Sequence, residues 1–336
     1  MAKIGIIGAG SWGTALSVVL HKNGHEITIW SILASEIDML KTEHEHKDKL
    51  PGVKLPEDMT FTTDIKEAVL HKDVLVLSVP SVYTRSTSKL LKDFVKEGQI
   101  IVNVAKGIED HSLMTLSEVV EQEIPQATVA VMSGPSHAEE VGRGIPTTIV
   151  VGAKKKKTAE YLQNLFMNDV FRVYTSSDVL GIELGGALKN VVALAAGIAD
   201  GLGYGDNTKA ALITRGITEI ARLGTAMGAR FETFCGLTGI GDLIVTCASM
   251  HSRNRRAGIL IGQGKTMEEA MSEVKMVVEG VYSAKAAMGL SLKYDVQLPI
   301  IEQVNQVLFE GKLAADAVKD LMLRDKKIEV MDTNWE

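Results

Sequence analysis

Cysteine is scarce in this sequence, and its scarcity argues against a disulfide framework or a structural zinc site. Cys235 and Cys247 are the only cysteines among 336 residues. Their spacing fits no zinc or redox motif, and no cluster of histidine, cysteine and aspartate has the spacing of metal ligands. We therefore expect two reduced thiols and no metal site, which is typical of a cytosolic protein.

An excess of positive charge is also missing. The formal net charge is −6, which argues against wholesale binding of nucleic acid or an anionic membrane and leaves open a local basic pocket for a small anion. The N-terminus runs directly into an apolar strand, without the succession of residues that marks a signal peptide. No uninterrupted apolar run reaches the ~20 residues of a membrane span. We expect a cytoplasmic protein without membrane insertion.

What is present begins with a glycine motif. The first strand, residues 3–7, ends in Gly8-Ala-Gly10-Ser-Trp-Gly13, and residues 14–22 have helical character. The first glycine permits a tight turn, the second lets the backbone approach a pyrophosphate, and the third allows close packing of helix and strand. This setting predicts a dinucleotide site, with Ser11 and Trp12 where backbone amides at the helix N-terminus meet the phosphates.

The end of the second strand, residues 26–30, lacks the acidic residue that would hold a ribose 2′-hydroxyl of NAD. Ser31, Ile32 and Leu33 occupy those positions, and no arginine is present there for the 2′-phosphate of NADP. The choice between NAD and NADP therefore stays open.

The charge-rich residues 35–49 indicate a solvated helix and loop. We interpret His44 and His46 as surface residues rather than metal ligands, and Lys49 is within reach of a phosphate in this interpretation.

Further apolar runs are separated by helical segments, which is typical of strands buried on both faces of a parallel sheet. They comprise residues 74–80, 99–107, 127–134, 147–152 and a short run at 171–174. The pattern predicts an α/β fold with a Rossmann-type, doubly wound parallel sheet.

After residue 180 only helical patterns follow, including residues 208–228, 266–275, 283–289 and 314–322. A single core stops growing at ~250–300 residues, so two domains are expected. We place a dinucleotide-binding domain at residues 1–180 and an all-helical substrate and catalytic domain at residues 181–336.

One cationic side chain lies in the middle of the apolar run 183–199. The helical neighbours of Lys189 are all apolar residues: Ile182, Gly185, Gly186, Val192, Ala193 and Ala196. A helix with no polar stripe is a buried helix. Either the Lys189 side chain extends to the edge of the buried helix and reaches solvent there, or it is a functional ammonium whose pKa is lowered by burial.

Two acidic residues also lie in apolar surroundings. Asp242 emerges from a glycine-rich loop, which is a poor place for an unpaired carboxylate and a good one for the partner of an ammonium. Glu279 fits either a carboxylate at a helix N-terminus or a ribose contact.

A basic cluster follows Asp242. Arg253, Arg255 and Arg256, together with Ser252 and Asn254, form a candidate anion site because guanidinium groups match phosphate geometry. The alternative is an exposed basic helix start.

These residues resemble the bacterial, soluble, NAD(P)-dependent glycerol-3-phosphate dehydrogenases over nearly the whole chain. The shared motifs are Gly8-Ala-Gly-Ser-Trp-Gly13, Asn103-Val-Ala-Lys-Gly107, Ser133-Gly-Pro-Ser-His-Ala138, Glu183-Leu-Gly-Gly-Ala-Leu-Lys-Asn190, Gly239-Ile-Gly-Asp-Leu243, Ser252-Arg-Asn254 and Val277-Val-Glu-Gly280. The departure is at Ile32 and Leu33, where relatives that use NADP often have basic residues.

The resemblance implies reduction of dihydroxyacetone phosphate with NAD(P)H to give glycerol phosphate for phospholipid synthesis, in a cytoplasmic homodimer. It makes Lys189 the general acid and base. It places around the substrate Lys106, Gly134, Ser136, Asp242, Thr246, Ser252, Arg253 and Asn254. It places around the dinucleotide, in addition to the glycine motif, Ser11, Trp12, Lys106, Ala138, Arg253, Val277 and Glu279.

Two other functions remain open at this point. A related two-domain dehydrogenase could act on a hydroxy-carboxylate, since a carboxylate also suits Arg253. A dinucleotide-binding regulator without turnover is the other alternative, although it would not need Lys189 in an apolar helix.

Overall fold

The computed structural model describes residues 1–326, 328 and 329. Its strands are β1 (Lys3–Ile7), β2 (Glu26–Trp30), β3 (Thr60–Thr62), β4 (Val74–Leu77), β5 (Ile100–Asn103), β6 (Thr128–Ser133), β7 (Thr147–Ala153) and β8 (Phe171–Ser176). The helices among them are α1 (Ser11–Lys22), α2 (Ala34–Glu43), α3 (Ile65–Val69), α4 (Thr84–Leu91), α5 (Leu116–Glu123), α6 (Ala138–Gly142) and α7 (Lys156–Phe166).

The rest of the described chain is helical. It contains α8 (Val179–Gly201), α9 (Asp206–Ala226), α10 (Phe231–Phe234), α11 (Asp242–Ala248), α12 (Arg253–Gly262), α13 (Met267–Val274), α14 (Glu279–Tyr294), α15 (Pro299–Phe309) and α16 (Ala314–Met322). A 3₁₀ turn at Ser81–Tyr83 and a π-helical turn at Leu237–Gly241 complete the elements. The predicted order, a sheet followed by helices, is confirmed.

The sheet has the order β3-β2-β1-β4-β5-β6-β7-β8. Its first six strands are parallel and follow the 3-2-1-4-5-6 order of dinucleotide-binding folds. Apolar side chains alternate between the two faces, so that Val74 and Val76 join one core and Leu75 and Leu77 the other. Helices cover both faces, and the predicted doubly wound architecture is confirmed.

Two strands, β7 and β8, differ in direction from the expected parallel sheet. β7 runs antiparallel to β6, and β8 is parallel to β7. Between β6 and β7 the chain forms only the five-residue helix α6. A parallel connection needs a crossover that returns the chain along the whole strand. Helix α6 is too short for that return, whereas the 11-residue α7 provides it between β7 and β8.

Helix α8 is the centre of the helical region. Every residue from Gly181 to Ala199 is buried. Helix α12 crosses α8 closely because glycines face each other. A Cβ atom on Gly197 would lie 2.1 Å from the Arg255 carbonyl oxygen, and one on Gly258 would lie 2.3 Å from that of Leu194. This contact brings the N-terminus of α12 towards Lys189.

Two segments of the described chain are long and apolar enough to cross a membrane by length and hydropathy alone, Val179–Gly201 and Phe231–Ala248. In the first, 89% of the apolar window is buried inside the protein, and in the second 39%. The core helix of a globular protein meets the same criterion, and α8 is such a helix.

Candidate active site

Lys189 lies inside the protein with its ammonium group held by two side chains of α11. Nζ donates to Asp242 Oδ1 at 2.5 Å and to Thr246 Oγ1 at 2.7 Å. The lysine is 5% exposed, so it does not extend to an edge. Burial lowers the pKa of Lys189, Asp242 raises it, and repulsion from Lys106 lowers it, with the result that it is about 7. An amine with this pKa can give and take a proton near neutral pH.

Asp242 joins a second lysine to the first. Lys106, in the loop after β5, donates from Nζ to Asp242 Oδ2 at 2.7 Å and to the Gly134 carbonyl oxygen at 3.0 Å. Burial would raise the pKa of Asp242, but Lys106 and Lys189 together lower it. The carboxylate therefore stays charged and holds two ammonium groups close to each other.

The loop after β6 forms the facing wall. Gly134 has φ of 150°, and a Cβ there would lie 3.1 Å from the Ile149 Cα, so the turn requires glycine. The Ser136 hydroxyl donates to the Gly134 carbonyl oxygen at 2.8 Å, which keeps Ser136 beside Lys106. Ala138 is the first residue of α6 and is buried.

His137 in the same loop was not among the predicted site residues. Burial lowers its pKa and the charge of Lys189 lowers it further, so the ring is held neutral. Its ring centre lies 5.8 Å from that of His251, and its Nε2 is buried without a hydrogen-bond partner in the described part of the chain. The sequence signal was its position directly after Ser136.

The N-terminus of α12 carries the candidate anion site. Ser252 caps the helix by accepting from the Arg255 N–H. Arg253 Nη1 donates to the Val277 carbonyl oxygen at 3.1 Å. Asn254 donates to Asn190 Oδ1 at 2.8 Å, which ties it to the residue after Lys189.

The structure corrects one member of the basic cluster. Arg255 pairs with Asp200 at 2.8 Å and donates to the Ala248 carbonyl oxygen at 2.7 Å, so it does not join Arg253 in an anion site. Two residues further along a helix a side chain points to a different face, which explains the separation. Arg256 keeps a buried Nε without a partner among the described residues.

The glycine turn has the geometry that a dinucleotide requires. Gly8 has φ of 118°, which favours glycine. A Cβ on Gly13 would lie 2.3 Å from the Gly8 carbonyl oxygen, so this glycine allows the close packing of β1 and α1. Around Gly10 nothing lies within 4 Å of a Cβ, so its backbone borders open space. Helix α1 has no side-chain N-cap, and the indole N–H of Trp12 is buried without a partner in the described structure.

Residues of the helical region contact the sheet at the carboxyl ends of its parallel strands, the same end as the glycine turn. The Glu279 carboxylate accepts from the backbone N–H of Ser81 at 3.0 Å and from its hydroxyl. Ser81 begins the 3₁₀ turn four residues after the end of β4, and the Val277 carbonyl oxygen accepts from Arg253. Glu279 and Val277 therefore lie beside the carboxyl ends of the strands, where ligands bind in open α/β sheets.

The end of β2 differs from the sequence interpretation. Ile32 and Leu33 are 71% and 52% exposed, but Glu36 of α2 turns back and accepts from the Ser31 hydroxyl at 2.6 Å. An acid is thus present at this edge, although it is not in the strand. The expectation of a surface position for His46 is wrong, because this side chain is 1% exposed and lies 3.8 Å from Glu36. Among the described residues, no group of three or more His, Cys, Asp or Glu side chains could hold a metal ion.

Comparison with known proteins agrees with these features. The chain matches family models described as the N-terminus and the C-terminus of NAD-dependent glycerol-3-phosphate dehydrogenase, over residues 3–159 and 178–319. It is 71% identical to glycerol-3-phosphate dehydrogenase [NAD(P)+] of Agathobacter rectalis, with 100% of both chains covered. It is 53% identical to that of Bacillus subtilis, with 99% of this chain and 97% of the relative covered.

A solved structure shows the same fold. The glycerol-3-phosphate dehydrogenase of Coxiella burnetii superposes with a TM-score of 0.93 at 36% identity, covering 96% of this chain and 99% of that one. Both the sequence relatives and the solved structure span nearly the full length compared. The chain therefore belongs to the NAD-dependent glycerol-3-phosphate dehydrogenase family.

Proposed function

We propose that this protein reduces dihydroxyacetone phosphate to sn-glycerol 3-phosphate with NADH or NADPH, and that Lys189 is the general acid. The observation that carries the proposal is the buried arrangement in which Asp242 holds the ammonium groups of Lys189 and Lys106. The names of the relatives support the reaction and both cofactors. The product is the glycerol phosphate unit used in phospholipid synthesis.

Lys189 supplies what the reduced carbonyl needs. When bound, the nicotinamide supplies the hydride that reduces C2 of the substrate. The oxygen on C2 gains negative charge, and a proton donor with positive charge beside it stabilises the transition state. Lys189 donates its Nζ proton to that oxygen. Asp242 and Thr246 orient the amine, and Lys106 lowers its pKa through like-charge repulsion.

The substrate phosphate is proposed to bind at the N-terminus of α12. Arg253 offers a guanidinium group, and the helix N-terminus adds backbone N–H groups. Binding of the phosphate positions the carbonyl, so remote binding energy contributes to the rate. The complete set proposed to surround the substrate is Lys106, Gly134, Ser136, Lys189, Asp242, Thr246, Ser252, Arg253 and Asn254.

The dinucleotide is proposed to lie between the glycine turn and the N-terminus of α14. The open space beside Gly10 and the free N-terminus of α1 support the pyrophosphate position. The residues proposed to hold the dinucleotide are Gly8, Gly10, Ser11, Trp12, Gly13, Lys106, Ala138, Arg253, Val277 and Glu279.

We also propose the organisation of the protein around this site. Residues 1–180 form the dinucleotide-binding domain and residues 181–336 the substrate and catalytic domain, since β8 ends at Ser176 and α8 begins at Val179. Of the second range, residues 327 and 330–336 lie outside the described residues. A cytoplasmic location and a homodimer follow from the family resemblance.

The test is turnover with purified protein. Consumption of NADH or NADPH is followed with dihydroxyacetone phosphate, with a 2-keto carboxylate as the alternative substrate. Turnover with dihydroxyacetone phosphate and not with the keto carboxylate supports the proposal. Turnover with the keto acid alone identifies a hydroxy-carboxylate dehydrogenase, and dinucleotide binding without turnover of either identifies a regulator.

A further inference from the structure

A buried acid and a partly exposed lysine form an ion pair beside the end of β2. We call Ser31, Glu36, His46 and Lys49 the β2-edge cluster. Glu36 accepts from the Ser31 hydroxyl through Oε2 and from the Lys49 ammonium through Oε1. His46 accepts the Lys49 backbone N–H at Nδ1, at 3.3 Å, and its Nε2 faces Glu36 at 3.8 Å.

The cluster is attached to the glycine turn of the dinucleotide site. The Ser11 hydroxyl donates to the Lys49 carbonyl oxygen at 2.6 Å, and the Gly8 N–H donates to the Trp30 carbonyl oxygen at 2.9 Å. The end of the second strand is where dinucleotide folds meet the 2′ oxygen of the adenosine ribose. Lys49 therefore lies between the turn that faces the pyrophosphate and the position that faces the 2′ substituent.

The two charges of the pair differ in their accessibility. The Glu36 side chain is 11% exposed and that of Lys49 is 32% exposed. Burial would raise the pKa of Glu36, but its interactions with His46, Lys49 and Ser31 lower it to about 2. Glu36 is thus a permanent anion held inside, while the ammonium of Lys49 is the part of the pair that a ligand can reach.

We propose that the Glu36–Lys49 pair sets the discrimination between NADPH and NADH, with Lys49 contacting the 2′-phosphate and Glu36 acting as a positioning residue that competes for it. This inference rests on the proposed function, since it assumes a nicotinamide dinucleotide at the glycine turn. With NADH, Lys49 stays with Glu36. With NADPH, Lys49 must divide its hydrogen bonds between the carboxylate and the phosphate, so the affinity gained from the phosphate is only partial.

Removal of Lys49 and removal of the Glu36 charge should change the affinity for NADPH in opposite directions. Without Lys49, the uncompensated Glu36 carboxylate repels the 2′-phosphate and weakens NADPH binding. Without the charge of Glu36, Lys49 is free for the phosphate and NADPH binding is strengthened. NADH has no charge at the 2′ position, so its affinity changes little in both cases.

The experiment is calorimetric titration of NADPH and NADH, separately, into the substrate-free enzyme. Lys49→Met is expected to raise the Kd for NADPH about 10- to 100-fold and that for NADH less than about three-fold, the scale of one charged hydrogen bond. Glu36→Gln is expected to lower the Kd for NADPH about five-fold. Lys54→Met and Glu45→Gln are matched controls, because Lys54 and Glu45 form a neighbouring pair at 2.9 Å outside the cluster.

A double variant guards against misfolding of Lys49→Met, in which Glu36 would be buried without its partner. Glu36→Gln with Lys49→Met leaves no lone charge, and it is expected to bind NADPH at least about ten-fold more weakly than Glu36→Gln alone. An unchanged ratio of the two Kd values in all three variants overturns the inference and leaves the proposed function standing. Failure of the wild-type enzyme to bind either dinucleotide overturns both.

Discussion

Asp242 lies 2.5 Å from the ammonium of Lys189, although 53 residues separate the two in the sequence. Each oxygen of this carboxylate accepts from a different lysine, because Lys106 occupies the other oxygen at 2.7 Å. One negative charge is thus shared between two positive charges in a buried site. The arrangement retains a net positive charge, which in the proposed mechanism lies beside the substrate oxygen as it becomes negative.

The first prediction concerns that proton. Lys189→Ala should lower kcat by at least ~100-fold, the scale of lost general acid catalysis, while the fold persists. Steady-state kinetics and circular dichroism measure the two effects. Lys293→Ala, at an exposed position of α14, is the control. A folded Lys189→Ala protein with nearly wild-type kcat would contradict the mechanism.

The second prediction concerns the substrate phosphate. Arg253→Ala should raise KM for dihydroxyacetone phosphate and lower kcat, at a total cost of ~1.5–3 kcal/mol in transition-state stabilisation. Arg255→Ala on the same helix is the contrast. Because Arg255 pairs with Asp200, its loss should lower Tm and leave KM for dihydroxyacetone phosphate nearly unchanged. Unchanged KM and kcat for dihydroxyacetone phosphate in Arg253→Ala would place the phosphate pocket elsewhere.

The third prediction concerns pH. A general acid must carry its proton, and the pKa of Lys189 is about 7. The kcat for ketone reduction should therefore fall as pH rises through about 7. Oxidation of glycerol phosphate, in which Lys189 accepts the proton, should become faster over the same interval. Rate profiles in both directions test this, and two profiles that move in the same direction would refute it.

The fourth prediction concerns the cofactor. Ile32 and Leu33 cannot pair with a 2′-phosphate, so the enzyme should use both cofactors and prefer NADH by no more than ~100-fold, or ~3 kcal/mol. Ile32 is 71% exposed and tolerates a longer side chain. Ile32→Arg should improve kcat/KM for NADPH more than it harms that for NADH. A wild-type enzyme strongly selective for NADPH would show that residues in addition to Lys49 bind the phosphate.

The fifth prediction concerns stability. Burial raises the pKa of Glu183 to about 7, despite hydrogen bonds from the backbone and hydroxyl of Ser117. Between pH ~4.3 and about 7 the unfolded chain loses this proton while the folded protein keeps it, so stability falls as pH rises through that window.

Glu183→Gln cannot ionise and can keep both contacts with Ser117. The decrease in Tm from pH 5 to pH 8 should therefore be smaller in Glu183→Gln than in the wild type. Glu160→Gln at the surface of α7 is the control, and an identical decrease in all three proteins would be inconsistent with the assignment.

Much of the fold could be predicted because its signals are local. Strands buried on both faces leave continuous apolar runs, and β4 and β5 were found in that way. The three-residue edge strand β3 carries no such run and was not identified. Helix α15 was also not identified, and α14 is longer at both ends than residues 283–289 because helix ends depend on capping and on tertiary contacts.

The candidate site could be predicted where a buried charged side chain requires a partner of opposite charge. A buried lysine in an apolar helix needs a partner, and Asp242 was one of two acidic residues in apolar surroundings and the one interpreted as the partner of an ammonium; the contact is present. The cluster of arginines was only a pattern in sequence. The structure separates Arg255 from Arg253, because the helix turns them to different faces.

The sequence alone determined the features that depend on neighbouring residues: the glycine turn before α1, the buried character of α8, and the isolation of Lys189 within it. Only the tertiary structure decided which distant groups meet. Lys106 reaches Asp242 across 136 residues, and β7 runs against β6. Periodicity and turn chemistry act over a few residues, whereas these contacts depend on how whole layers of helices and strands pack.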